Sequence, residues 1–254
     1  LGVLGAASSG YHSCSWLEDG TAWCWGLNTW GQLGQEPGSV DRCDEGAGYE
    51  VPCSRSAMPV EGLEGVVGMA VGNGQSCAWL EDGSAWCWGR NDTGQLGDPR
   101  SWDESITSYR WRSGGGRETM FERNASVTPV QVSGASNVVG MSLGFGYGCA
   151  WSATGEAWCW GSGDWGQLGV GMERGGMCER PVSIAPMGSH KFRCSKHAAR
   201  LRTLGNVAGI SAGYAHACAW TESGTVSCWG SDQSGQVGDG SGVSESCPYL
   251  QPSG

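Results

Sequence analysis

Short apolar runs recur along the chain: VLGAASSG from Val3, VVGMAVGNG from Val66, VVGMSLGFG from Val138 and VAGISAGYA from Val207. Eleven residues after the start of each run comes a cysteine, and ten residues further on comes a second. Between the two cysteines lies a polar turn, Glu81-Asp82-Gly83 in the second copy. Each such stretch carries a glycine near its middle, at Gly20, Gly83, Gly155 and Gly224. A type I turn followed by glycine in the left-handed region is a common three-residue hairpin loop. Centred on Asp82, that loop sets Cys77 opposite Cys87, and the same arithmetic holds in the other copies. Directly opposed cysteines meet disulfide distances at a non-hydrogen-bonded pair. Four stapled hairpins are therefore expected: Cys14–Cys24, Cys77–Cys87, Cys149–Cys159 and Cys218–Cys228. Alternation puts Trp79 on the cysteine face and Trp86 and Trp88 on the other, where their rings offer apolar area for stacking between units.

Proline-led strand candidates precede the later copies, PVEGL from Pro59, PVQV from Pro129 and PVSI from Pro181. With them each unit reads as four short strands, the make-up of a propeller blade. The cysteine pairs step by 63, 72 and 69 residues. The expected fold is all-β, a β-propeller of four four-stranded blades in one domain over residues 1–254. Val3 opens what reads as a second strand, and Pro248-Tyr249-Leu250-Gln251 reads as a first strand. Closure of the ring by pairing of that C-terminal strand with the N-terminal blade is the favoured arrangement, an open arc the alternative.

Composition suits many tight turns and few helices, with 46 Gly, 15 Trp and 3 Phe among 254 residues. No run approaches 18 apolar residues, so no membrane span is expected. A net charge of −10 repels phosphate backbones and argues against nucleic acid as a partner. LGVLGAASSG lacks a charged leader and an initiator methionine, which fits a removed targeting segment or a portion of something longer. Structural zinc prefers two to four residues between cysteines, and the nine found here set the metal reading aside. Disulfides imply an oxidising compartment, so the chain is expected to be secreted or extracellular.

The stretch CAWLEDGSAWCWGRNDTGQLG from Cys77, like its three counterparts, joins C-W-G to G-Q-L-G or G-Q-V-G. It resembles the repeats of the regulator of chromosome condensation family, above all their cysteine-containing secreted and bacterial-type versions. The resemblance covers about residues 1–252 and implies a β-propeller of four-stranded blades. The best-known members have more and shorter blades; the excess here follows G-Q-L-G. Their nuclear founder is an exchange factor for a small GTPase and binds chromatin, roles that a disulfide-rich acidic chain fits poorly. A secreted relative that inhibits β-lactamases shows the fold serving as a binding platform.

The excess forms three inserts, residues 35–58, 98–127 and 170–206. The first holds Cys43 and Cys53 and the third Cys178 and Cys194, each pair read by proximity as a local disulfide; Cys247 is then left over, for an intermolecular bond or a free thiol. The second carries Trp102, Tyr109, Arg110, Trp111 and Phe121, residue types that anchor interfaces or form a small core under a long loop. The third carries Lys191, Arg193, Lys196, Arg200 and Arg202, expected on a short helix capped by Ser195 and ended by Gly205. Such a helix either docks an acidic partner, another copy or an anionic polysaccharide, or simply balances local charge. Asn124, in the sequon Asn-Ala-Ser, is the glycosylation candidate, whereas the sequon at Asn91 sits in the repeat's own turn.

Catalytic constellations are missing: the sequence has no HExxH, no G-x-S-x-G and no P-loop. Its G-x-G-x-x-G at Gly161–Gly166 falls in the repeat's turn rather than at a strand–helix junction. His12 and His216 share a repeat position with Gln75 and Tyr147, which suits packing; His190 and His197 have no nearby carboxylate pair. No catalytic, cofactor or metal residue is assigned. The expected function is a non-enzymatic extracellular module that binds a protein or glycan through its inserts. The alternative is a structural subunit of an extracellular filament, coat or matrix, built from copies of itself; least favoured is an exchange factor for a small GTPase.

Overall fold

A computed structural model of the protein describes residues 2–112, 119–170, 176–179, 191–240 and 251–252. The chain is all-β, laid down as four successive antiparallel units that coincide with the sequence repeats. Repeat 1 holds β1 (Val3–Ser8), β2 (His12–Leu17), β3 (Ala22–Leu27), β4 (Asp41–Gly46) and β5 (Tyr49–Pro59). Repeat 2 holds β6 (Val66–Val71), β7 (Gln75–Leu80), β8 (Ala85–Arg90), β9 (Ser105–Arg112) and β10 (Thr119–Gln131). Repeat 3 holds β11 (Val138–Leu143), β12 (Tyr147–Ser152), β13 (Ala157–Ser162), β14 (Gly176–Glu179) and β15 (Lys191–Arg200). Repeat 4 holds β16 (Val207–Ala212), β17 (His216–Thr221), β18 (Val226–Gly230) and β19 (Gln251–Pro252).

The stapled hairpins form in the expected register, with Cys14, Cys77, Cys149 and Cys218 directly opposite their partners. The Cα atoms of each disulfide lie 4.0 or 4.1 Å apart, the close spacing of a non-hydrogen-bonded pair. Glycine is required at two points. Gly83 takes φ 78° in the hairpin turn, and a Cβ there would stand 2.7 Å from the Cα of Asn137. Gly89 of the C-W-G motif takes φ 91°, and a Cβ would stand 2.4 Å from the carbonyl oxygen of Gly74.

The proline-led segments end their units rather than begin new ones, contrary to the sequence reading. Pro59 lies opposite Trp23 of β3, and Val130 opposite Cys87 of β8. Val60, Val132 and Leu201 donate their N–H groups to Ala22, Ala85 and Ala157, each at 2.8 Å, locking the end of each fourth strand to the start of the third. A repeating sequence fixes the period of the units but not where each one starts. PVSI itself lies outside the described residues. In repeat 3 the fourth strand is β15, so the helix expected from Ser195 is a strand: Phe192, Cys194 and Ala198 turn inward along it.

The C-terminal strand is likewise placed differently. Gln251 pairs with Cys228 of its own repeat, not with repeat 1. Against β18, β19 takes in repeat 4 the place that β5, β10 and β15 take in the others. Packed strands join repeat 1 to 2, 2 to 3 and 3 to 4 in an arc. The core lies between units rather than within them. Trp88, Trp160 and Trp229, all buried, fill the three joints against the disulfides of the repeat before.

Candidate functional site

All three inserts take one form. Each fourth strand is extended at its N-terminal end, and the extension pairs with a partner strand: β4 with β5, β9 with β10, β14 with β15. Where extension meets blade there is a bulge, and a buried serine stands there in each case. Ser54, Ser126 and Ser195 donate their hydroxyls to the carbonyls of Ser56, Thr128 and His197, at 2.6, 2.9 and 2.7 Å. Ser195, expected as a helix cap, is one of this series. Cys43 bonds Cys53 across the first hairpin and Cys178 bonds Cys194 across the third; Cys247 lies outside the described residues.

The inserts lock onto one another. Tyr49 and Glu50 pair with Arg112 and Trp111, joining the first hairpin to the second. Trp111 is buried, stacks on Tyr109 with ring centroids 5.6 Å apart, and carries Arg42 on its face at 4.1 Å. Arg110 lies over Tyr49 and pairs with Glu45 at 2.7 Å. Trp102 is buried beside Phe192, with the Lys196 ammonium 4.0 Å above its ring, so the second insert packs on the third. Trp102 and Trp111 thus form satellite cores under the crest rather than exposed anchors. The Phe121 side chain lies outside the described set. Lys191, Arg200 and Arg202 are exposed and Arg193 and Lys196 half-buried, four of them along β15 and Arg202 just beyond its end; Arg200 is paired with Glu156 at 2.5 Å.

Asn124 is only 3% exposed, and its Nδ2 donates to the Trp102 carbonyl at 3.1 Å. Asn91 is equally buried, donating to Ser101 at 2.8 Å. The nitrogen a glycan would occupy is therefore committed to the fold at both sequons.

Between the crest and the loops that join first to second strands lies a cleft of about 550 Å³. Trp30 is its centre: the Arg123 guanidinium sits 4.3 Å from its ring and that of Arg90 4.8 Å. Arg90 is held by two hydrogen bonds to Asp92, at 2.6 and 2.7 Å, and by a third to Asn73. Burial, with the charge of Arg90 behind it, holds the Arg123 guanidinium below its ordinary range. Phe145 lies 5.4 Å from Arg90 and stacks on Tyr214 at 4.5 Å. Tyr11 and Tyr214 are 59% and 68% exposed at the rim. None of these residues stood out in the sequence. The available signal was the aromatic that interrupts the glycine-rich turn in GYH, GFG and GYA.

The regulator of chromosome condensation (RCC1) repeat model matches residues 19–79 and 82–151, and a second RCC1 repeat model matches residues 207–236. The chain belongs to the RCC1 repeat family. It is 26% identical over 244 residues to the human E3 ubiquitin-protein ligase HERC2, covering 94% of this chain and 4% of that one. It is 28% identical over 169 residues to protein pim1 of Schizosaccharomyces pombe, covering 66% and 29%. The chain therefore spans a small part of the length of these curated relatives. Among solved structures, yeast RCC1 (Prp20) bound to Kap60 superposes with a TM-score of 0.71 at 19% identity, over 98% of this chain and 48% of that one. Human WBSCR16 superposes with a TM-score of 0.64, over 98% and 51%. At such identities the likeness speaks for the propeller fold alone.

Within this RCC1-repeat chain the position two before the first cysteine of repeats 1 to 3 is a hydrogen-bonded link to the next unit. His12 Nε2 meets the Ser76 hydroxyl at 2.8 Å, Gln75 donates to the Tyr147 carbonyl at 3.2 Å, and the Tyr147 hydroxyl donates to the carbonyls of Gly213 and His216. Burial lowers the His12 pKa to about 4 from an ordinary 6.5. The unfolded chain thus takes up this proton near pH 6.5 and the folded chain only near 4, so stability falls as pH drops through that window. Melting curves of the protein and of His12→Gln, the residue of repeat 2, should separate on this point. The variant is expected to lose the His12 part of the acid slope; parallel slopes for both would refute the assignment.

Proposed function

We propose that the chain is a non-enzymatic interaction module, secreted into an oxidising compartment, that binds a protein partner on its insert face. The observation that carries this reading is the cleft around Trp30, where cation–π contacts link Trp30 and Phe145 with Arg90 and Arg123 and exposed tyrosines form the rim. Arginine, tyrosine and tryptophan are the residue types that dominate interface energetics. Pre-paired arginines lose little freedom on binding. Six disulfides among the described residues support the extracellular assignment. The RCC1-repeat neighbour Prp20p is described with binding to Gsp1p and histones; here the exchange-factor reading stays least favoured, because a reducing compartment would open those staples. The acidic balance disfavours nucleic acid, and among the described residues no helix is long and apolar enough to cross a membrane.

A photo-reactive residue in place of Tyr214 is expected to capture the partner, while one in place of Asp82, on the opposite face, does not. Tyr11→Ala with Tyr214→Ala is expected to weaken binding of that partner at least about tenfold at unchanged melting temperature. Capture from position 82 alone, or unchanged affinity in the double variant, would overturn the reading. A glycan partner would show instead as cleft-dependent binding to an immobilised polysaccharide.

A further inference from the structure

The G-Q-L-G and G-Q-V-G loops share one device. The glutamine side chain folds back, and its oxygen accepts the backbone N–H two residues earlier: Gln32 from Trp30, Gln95 from Thr93 and Gln167 from Trp165, each at 2.8 Å. That bond fixes which end of each amide is the donor. In repeats 2 and 3 the donor end is answered inside the loop. Gln95 Nε2 donates to Asp92 at 3.2 Å, and Gln167 Nε2 to the Ser162 hydroxyl at 3.4 Å. Repeat 1 differs. Thr29 stands where repeat 2 has Asp92, and Leu27 where repeat 3 has Ser162. Gln32 is wholly buried, and among the described residues its Nε2 has no hydrogen-bond partner. The same side chain lines the cleft around Trp30. A buried donor without an acceptor is costly, and an acceptor that arrives with a ligand removes the cost.

The surroundings of that amide are cationic and aromatic. Arg90 and Arg123 both lie against the Trp30 ring, and Arg110 brings a third guanidinium to the cleft from the crest. Arg90 is committed to Asp92 and Arg110 to Glu45. At Arg123, burial first and the Arg90 charge next outweigh the opposing pull of Asp92 and Glu45, so its positive charge is held at a cost. Positive charge is thus gathered at this one place in a chain of net charge −10. These residues belong to repeats 1 and 2, whose joint is internal to the chain.

We infer that the cleft receives an acidic side chain of the partner protein, an aspartate or glutamate whose carboxylate accepts from Gln32 Nε2 and faces the guanidiniums on Trp30. The inference rests on the cleft being where the partner binds. A single carboxylate fits the charge better than a phosphate does, because Asp92 and Glu45 stand beside the arginines and repel a second negative charge. The Trp30 and Phe145 rings offer apolar walls to the methylene groups that carry such a carboxylate. At about 550 Å³ the cleft has room for one side chain with a short stretch of its backbone. Repeats 2 and 3 answer the same amide from within, so the site is made in repeat 1 and not in them.

The test is titration of isotope-labelled protein with the peptide acetyl-Gly-Glu-Gly-Glu-Gly-amide and, separately, with its glutamine counterpart. The indole resonance of Trp30, identified by its loss in Trp30→Phe, is expected to shift saturably with the glutamate peptide and to stay still with the other. Thr29→Asp, at a half-buried position, gives Gln32 the internal acceptor that repeat 2 has, and is expected to weaken the glutamate peptide at least about tenfold. Arg123→Gln is the second variant, with the same expectation. Equal shifts with both peptides, none with either, or full binding in both variants would overturn the inference. Tighter binding of inorganic phosphate than of the glutamate peptide would overturn it too, in favour of a phosphate ligand. The partner captured at position 214 separates this inference from the reading it rests on. Weakening by Tyr11→Ala with Tyr214→Ala, but not by Thr29→Asp or Arg123→Gln, would remove the carboxylate and leave the interaction surface standing.

Discussion

Trp160→Ala should lower the stability of the chain by about 3–5 kcal/mol, whereas Trp25→Ala should cost less than half as much. The two residues hold the same repeat position and sit in the same C-W-G motif. Trp160 is wholly buried between Leu96, Val132 and the Cys77–Cys87 disulfide, and its indole satisfies the Gln95 carbonyl. Truncation leaves a cavity and a buried acceptor without its donor, two penalties that add. Trp25 faces the open end, so water fills the space and solvates what is exposed. Urea midpoints of both variants check this; equal losses would refute the link between burial and cost.

Replacing Cys77 and Cys87 by alanine should cost about 3 kcal/mol, the chain-entropy value for a small loop. The same double change at Cys218 and Cys228 should cost the fold similarly through the unfolded state but less through packing, because that pair is only partly buried. The sharper distinction is kinetic. Among the four repeat-hairpin disulfides, under limiting reductant the Cys218–Cys228 bond is expected to open first and the three fully buried bonds to resist until the joints part. Alkylation followed by peptide mass mapping reads the order directly, and simultaneous opening of all four would show that exposure does not govern access.

Much of the architecture was legible because it is local. Nine residues and a central glycine between cysteines leave one hairpin register, and that register is the one found. Phase was not legible, since Pro59 and Pro129 lie between two apolar runs and either neighbour could claim them. The run SKHAAR looked helical through its alanines and its flanking Ser195 and Gly205. Pairing with β13 and the inward turn of Phe192 and Cys194 overrode that weak propensity. The bulge serines went unnoticed for a similar reason: Ser54, Ser126 and Ser195 sit among unrelated neighbours, and only the ladder reveals their equivalence. The cleft was hidden by distance, for Tyr11 and Trp30 come from repeat 1, Arg123 from repeat 2 and Phe145 from repeat 3, and they converge only after the blades stack. Trp102 and Trp111 left two readings open in sequence, interface anchors or a small core under a long loop, and their burial against Phe192 and Tyr109 selects the second.

The long fourth strands carry one further consequence, a mechanical one. β5, β10 and β15 each belong to the protruding hairpin at one end and to the blade at the other. A molecule tugging on the crest therefore loads the ladder between fourth and third strand along its length, so that its bonds share the force instead of parting one by one as in a peeled strand. The bulge serine marks where that load passes from hairpin to blade. Grip applied at the crest is thus anchored in the stiffest direction that each sheet offers.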